Sequence, residues 1–74
     1  MYEQFKAILT DELGVDEDLI TMDAELTSDL GINSLELADL ILFCEDRMGI
    51  TIDDDQLSKF ITVGDVVNYL STLE

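Results

Sequence analysis

Ser34 is the side chain with the clearest chemical use in this sequence. It follows Asp29-Leu30-Gly31-Ile32-Asn33 and opens a stretch with helical periodicity, so its hydroxyl stands in the first turn of a helix. Amides there lack intrahelical acceptors and the helix dipole favours negative charge, which gives a phosphate ester on Ser34 a physical home. A serine at a helix start also serves simply as a cap, and position alone leaves both roles open. The chain has no histidine. Ser-His and Cys-His nucleophilic pairs and imidazole metal ligands are thereby removed, and neither catalytic residues nor a metal site is expected. The single cysteine, Cys44, falls on an apolar stripe with no basic neighbour in sequence to lower its pKa, so it is expected in the core as a small hydrophobe. Asp53-Asp54-Asp55 lack the alternating ligands, central glycine and distal glutamate of an EF-hand; loose association with divalent ions is expected there.

These residues must be positioned by one small domain, residues 1–74. The chain carries 18 Asp and Glu against 3 Lys and Arg, a formal charge of −15. Such a surface repels phosphate backbones and anionic lipid, so basic protein surfaces are the expected partners, with no nucleic acid and no membrane insertion. A hydrophobic content of 47 % is too high for an acidic disordered tail and suffices for a core of Leu, Ile and Val. So short a chain buries a limited core against crowded like charges, which predicts modest stability that salt improves. A lone cysteine makes no internal disulfide, no basic leader precedes an apolar run, and no stretch is long enough to span a bilayer. A cytoplasmic monomer is expected. Repeats, low-complexity runs and Pro/Gly/Ser linkers are absent, so neither end reads as cut from a longer chain.

Tyr2, Phe5, Ile8, Leu9 and Leu13 recur at helical spacing and predict a first helix over Tyr2 to Leu13, stopped at Gly14. The acidic stretch from Val15 to Asp29 lacks a period and reads as a long connection with a short helical turn near Asp16 to Ile20. A loop of that length in a small domain must be tied down, and Leu19, Ile20, Met22 and Leu26 are the expected anchors. Leu37, Leu40, Ile41, Cys44 and Met48 predict a helix from Ser34 to Met48. Asn33 is its expected N-cap, paired with Glu36 in a capping-box pattern, and Gly49 ends it. Asp53 to Asp55, ahead of Leu57 and Phe60, predict a short third helix. Thr62 and Asp65 mark the start of a last one, whose apolar face carries Val63, Val66, Val67, Leu70 and Leu73. Ile50-Thr51-Ile52 has no second strand to pair with and is not expected to form one. The fold class is all-α, a small four-helix bundle of three main helices and a short third. Arg47 and Lys59 are positioned to bridge carboxylates, in exposed pairs that contribute little.

Asp29-Leu30-Gly31-Ile32-Asn33-Ser34-Leu35-Glu36-Leu37, the acidic amphipathic helix that follows, and Ile61-Thr62-Val63-Gly64-Asp65-Val66-Val67-Asn68-Tyr69-Leu70 together resemble the acyl carrier protein family over essentially the whole chain. The resemblance implies that Ser34 receives 4′-phosphopantetheine covalently from coenzyme A, through a phosphopantetheinyl transferase. It implies that the protein does no bond chemistry itself. Acyl intermediates would ride on the arm as thioesters, sheltered between helices where each buried methylene gains about 0.8 kcal/mol. They would pass to basic surfaces of acyl-chain synthase enzymes, with fatty acid biosynthesis the first choice of pathway. The implied docking face comprises Asn33, Leu35, Glu36, Ala38, Asp39, Leu42, Glu45 and Asp46, an apolar centre with a charged rim.

Two positions depart from the family pattern. Asn33 stands where the family usually has Asp, which keeps the cap and removes one charge that the transferase would read. Ile52 runs directly into Asp53 where the family often has Pro, a change confined to the local turn. Carriers of polyketide, peptidyl or D-alanyl units would share the fold and the serine, so cargo stays open. Two further classes stay open as well: an acidic docking module that is never modified, and a divalent-ion buffer.

Overall fold

The computed structural model describes residues 1–73. Helix α1 spans Tyr2–Leu13, α2 spans Ser34–Met48 and α3 spans Val63–Thr72, with 3₁₀ turns at Glu17–Leu19 and Asp54–Lys59. The three- and four-residue spacings of the sequence place Phe5, Ile8 and Leu9 of α1, Leu40, Ile41 and Cys44 of α2, and Val63, Val66, Val67 and Leu70 of α3 in one core. Tyr2, Leu13, Leu37 and Met48, expected on the same faces, lie half-buried at its margin. Gly14 and Gly49 close α1 and α2 in the left-handed conformation, with φ of 67° and 65°, which glycine adopts at little cost.

The short third helix is a 3₁₀ turn rather than an α-helix. Asp53 gives it no side-chain cap, and six residues offer too few α-type bonds to offset helix nucleation. Leu73 ends up 37 % exposed, beyond the last turn of α3, instead of completing its apolar face. Ile50-Thr51-Ile52 forms no strand, yet Ile52 is buried in the core. The expectation of a purely helical chain needs one amendment, an isolated antiparallel bridge between Glu25 and Thr62.

That bridge belongs to the anchoring of the long loop. Ile20 and Leu26 are buried as expected, whereas Leu19 and Met22 are 52 % and 40 % exposed. The loop is instead secured by Ala24, by Ile32 and by its backbone. Val63 N–H donates to Ala24 O at 2.9 Å and Gly64 N–H to Met22 O at 2.8 Å, so the loop supplies acceptors for the first amides of α3. A Cβ at Gly64 would stand 3.0 Å from Met22 O, and the strap needs glycine there to lie this close. Leu26 N–H donates to Ile61 O and Leu26 O accepts from Ile32 N–H, both at 2.9 Å, which links the approach to α3 with the approach to α2. Tyr2 O–H donates to Ile20 O at 3.0 Å from the α1 side.

Arg47 joins the ends of α1 and α2, at 3.1 Å from Glu12 and 3.7 Å from Asp11. Lys59 makes no ion pair among the described residues, and Lys6 pairs with Glu17 at 3.4 Å instead. Among the described residues no helix is long and apolar enough to cross a membrane.

Candidate functional site

The start of α2 is fixed by a complete capping box. Asn33, in an extended conformation, accepts the Glu36 N–H on Oδ1 at 2.8 Å, and Glu36 Oε1 accepts the Asn33 N–H at 3.3 Å. Both expected cap partners are therefore present, and Ser34 becomes the first helical residue. Ser34 is exposed. The box takes up the Glu36 amide and Leu37 N–H donates to Asn33 O, leaving the amides of Ser34 and Leu35 in the outward-facing first turn. A phosphodiester on Ser34 Oγ fits this arrangement: the oxygen is reachable, and the helix end offers amides and a favourable dipole to the anion. Ile32, two residues before the serine, is buried in the core and its N–H donates to Leu26 O, which ties the approach to Ser34 to the core.

Beyond Ser34, the outer side of α2 presents Leu35 and Leu42, 79 % and 61 % exposed. Ala38, Asp39 and Asp46 are exposed at helical spacing around them. Asn33 and Glu36 lie at the top of this face, committed to the capping box. Glu45, like Glu36, is half-buried, and its Oε2 accepts the Ile52 N–H at 2.7 Å. No periodicity in the sequence signals that bond, because it joins a helical side chain to the backbone of an irregular link.

Cys44 is fully buried, and burial, aided by the Glu45 charge, pushes its thiol up to about 12. It is core, as its place on the apolar stripe implied. At the other end of the link, Asp65 Oδ2 accepts the Thr62 and Ile61 N–H groups at 3.0 Å each, which holds its carboxyl below the usual value. Among the described residues no three Cys, Asp or Glu side chains converge to hold a metal ion, and Asp53 to Asp55 are exposed. A cavity of about 470 Å³, lined by Arg47, Met48, Ile50 and Leu70 among others, lies at the C-terminal end of α2. The rise of a helix puts it about 20 Å from Ser34.

A family model described as the phosphopantetheine attachment site matches residues 3–70. The chain belongs to this family. The match includes the exposed Ser34 turn, the α2 face and α3 as far as Leu70. Members similar to this chain include the acyl carrier protein of Petrotoga mobilis, 48 % identical over 71 residues, which is 96 % of this chain and 84 % of that protein. The acyl carrier protein of Thermotoga maritima is 43 % identical over 70 residues, covering 95 % of this chain and 86 % of its own length. That of Helicobacter acinonychis is 41 % identical over 70 residues, or 95 % and 90 % of the two chains. Phosphopantetheine is thus the group whose attachment defines the family, and a carrier of such a group is the class to which this all-α chain belongs.

Proposed function

We propose that this protein is an acyl carrier of fatty acid biosynthesis, modified at Ser34 and working in the cytoplasm as a monomer. The observation that carries the reading is the exposed Ser34 hydroxyl at the first position of a fully capped α2, in a chain that matches the phosphopantetheine attachment family. In the loading step Ser34 Oγ forms a bond to the phosphorus that bears the pantetheine half of coenzyme A. The phosphoanhydride bond to the other half breaks, adenosine bisphosphate leaves, and the serine proton passes to a base on the transferase. The attached arm supplies a terminal thiol that holds acyl groups as thioesters. The chain's own part is to fix Ser34 in the first turn, to favour the phosphodiester with the helix end, and to present a face to partners.

That face is the outer side of α2. Leu35, Ala38 and Leu42 form an apolar centre, and Asp39 and Asp46 a charged rim, which suits a transient partner whose surface is basic. Asn33 and Glu36 add to it at the serine end. The formal charge of −15 speeds encounter with such partners, the transferase first among them.

Incubation of the purified apo protein with coenzyme A, Mg²⁺ and a phosphopantetheinyl transferase, followed by intact-mass analysis, tests the reading. A mass gain of one arm, lost in Ser34→Ala, is the expected result; a wild-type chain that stays bare overturns it. The acyl groups found on protein recovered from its native cell test the pathway, with polyketide, peptidyl or D-alanyl cargo as the contrary outcome.

A further inference from the structure

The turn that leads into Ser34 is built on Glu25. Its carbonyl accepts from Asp29 N–H at 3.0 Å and Leu30 N–H at 3.1 Å, and its own N–H donates to Asp29 Oδ2 at 2.8 Å. The last is a charge-assisted bond. Gly31, at φ 70°, then turns the chain, with its N–H on Thr27 O at 3.1 Å. Ile32 enters the core with its N–H on Leu26 O at 2.9 Å, just ahead of Asn33 and Ser34. Glu25 is also the loop's partner in the bridge to Thr62. The amides of both bridge residues end on carboxylates, that of Glu25 on Asp29 and that of Thr62 on Asp65. Asp65 does so as part of the α3 capping box, whereas Asp29 belongs to no helix.

We propose that Asp29 is a positioning residue for the loading of Ser34: its carboxylate closes the turn of residues 25–32 and so sets where Ser34 Oγ stands relative to the coenzyme A held by the transferase. The inference rests on the carrier reading above and adds to it a residue outside the docking face. In-line attack on phosphorus tolerates little error, a displacement of about 1 Å costing on the order of a hundredfold in rate. The capping box fixes Ser34 within α2, and the Asp29 turn fixes the backbone that delivers it. Without the carboxylate the Glu25 N–H passes to water, and the largely exposed residues 27–31 loosen. Helix α2 keeps its place through Leu40, Ile41 and Cys44 in the core, so Leu35 and Leu42 still meet the transferase. The loss therefore falls on the chemical step and spares docking.

Steady-state loading by a purified phosphopantetheinyl transferase with coenzyme A and Mg²⁺, the apo chain as varied substrate, tests this. Asp29→Ala lowers kcat about fivefold or more and keeps KM within about twofold of wild type. Asp29→Asn retains an acceptor oxygen without the charge and recovers kcat to within about twofold. Tyr2→Phe cuts the bond that holds the same loop at Ile20 O and leaves both constants unchanged, which separates positioning from general loosening of the loop. Where Asp29→Ala does not fold, Asp29→Ser, whose oxygen stops a bond short of the Glu25 amide, takes its place with the same expectation. An undiminished kcat overturns the proposal, and so does an equal loss in Tyr2→Phe. A raised KM at wild-type kcat, or an Asp29→Asn rate no better than that of Asp29→Ala, assigns the charge to a contact with the transferase and also overturns it. In each of these cases the wild-type chain still loads and the carrier reading stands; a wild-type chain that stays bare overturns both.

Discussion

Asn33 and Glu36 grip each other's backbone, Asn33 Oδ1 on the Glu36 N–H at 2.8 Å and Glu36 Oε1 on the Asn33 N–H at 3.3 Å. Between them stands Ser34, whose place as first helical residue depends on this reciprocal pair. Asn33→Ala removes the stronger half of the box and is expected to lower stability by about 1 kcal/mol. Asn33→Asp keeps the acceptor and should stay close to wild type. Urea unfolding of the three proteins measures the difference as a shift in midpoint at constant slope.

Leu35 and Leu42 make little contact with the core, being 79 % and 61 % exposed. Changing either to Ser is therefore expected to move stability by no more than about 0.5 kcal/mol. The same changes should raise the KM for modification by the transferase several-fold with little effect on kcat. Steady-state loading kinetics with the carrier as varied substrate reads this; an unchanged KM would remove these leucines from the docking face.

Asp65 gives a pH dependence with a defined sign. The Thr62 and Ile61 amides hold its carboxyl below the ordinary 3.8, so the folded state favours the ionised form. Its contribution is present above the unfolded value and is lost as pH falls through the lower folded one. The stability gap between wild type and Asp65→Asn should be largest near neutrality and shrink below about pH 3.8. Thermal melts of both proteins across that range, compared pH by pH, isolate the Asp65 contribution.

Cys44 behaves oppositely at high pH. Burial raises its thiol from 9.0 to about 12, so the fold favours the neutral form. Its contribution is complete below pH 9.0 and declines as pH rises toward about 12. At pH 8 the native protein should react with a thiol reagent far more slowly than the unfolded chain, as absorbance of the released chromophore will report. Rapid labelling without denaturant would place Cys44 at an accessible position.

Excess negative charge opposes the folded state, and few cations relieve it: Arg47 binds Asp11 and Glu12, and Lys6 binds Glu17. Raising ionic strength from dilute to about 0.5 M should therefore raise the melting temperature by several degrees, because the Debye length falls below the spacing of surface carboxylates. Calorimetric scans at both salt concentrations decide this, and coincident melts would show that self-repulsion is not what limits stability.

The elements that could be read in the sequence are those whose signals are local. The spacing of Phe5, Ile8 and Leu9, or of Leu40, Ile41 and Cys44, records which face of a helix is buried, and these residues occupy the core. Asn33 with Glu36 and Thr62 with Asp65 act within a single turn, and both pairs form complete capping boxes. Ser34 follows directly from the first of them. The long loop has no such code. Ile20 and Leu26 turn inward while Leu19 and Met22 face solvent, in a loop held by backbone bonds from Val63 and Gly64 of the distant α3.

By itself, then, the sequence determined three amphipathic helices, the capping boxes of the last two and the exposure of one hydroxyl, because each depends on interactions among residues at most four positions apart. Tertiary structure decided which loop side chains reach the core and that Glu45 serves the Ile52 amide as well as the surface. Those outcomes depend on contacts that exist only once distant segments share a core, and no pattern along the chain encodes them.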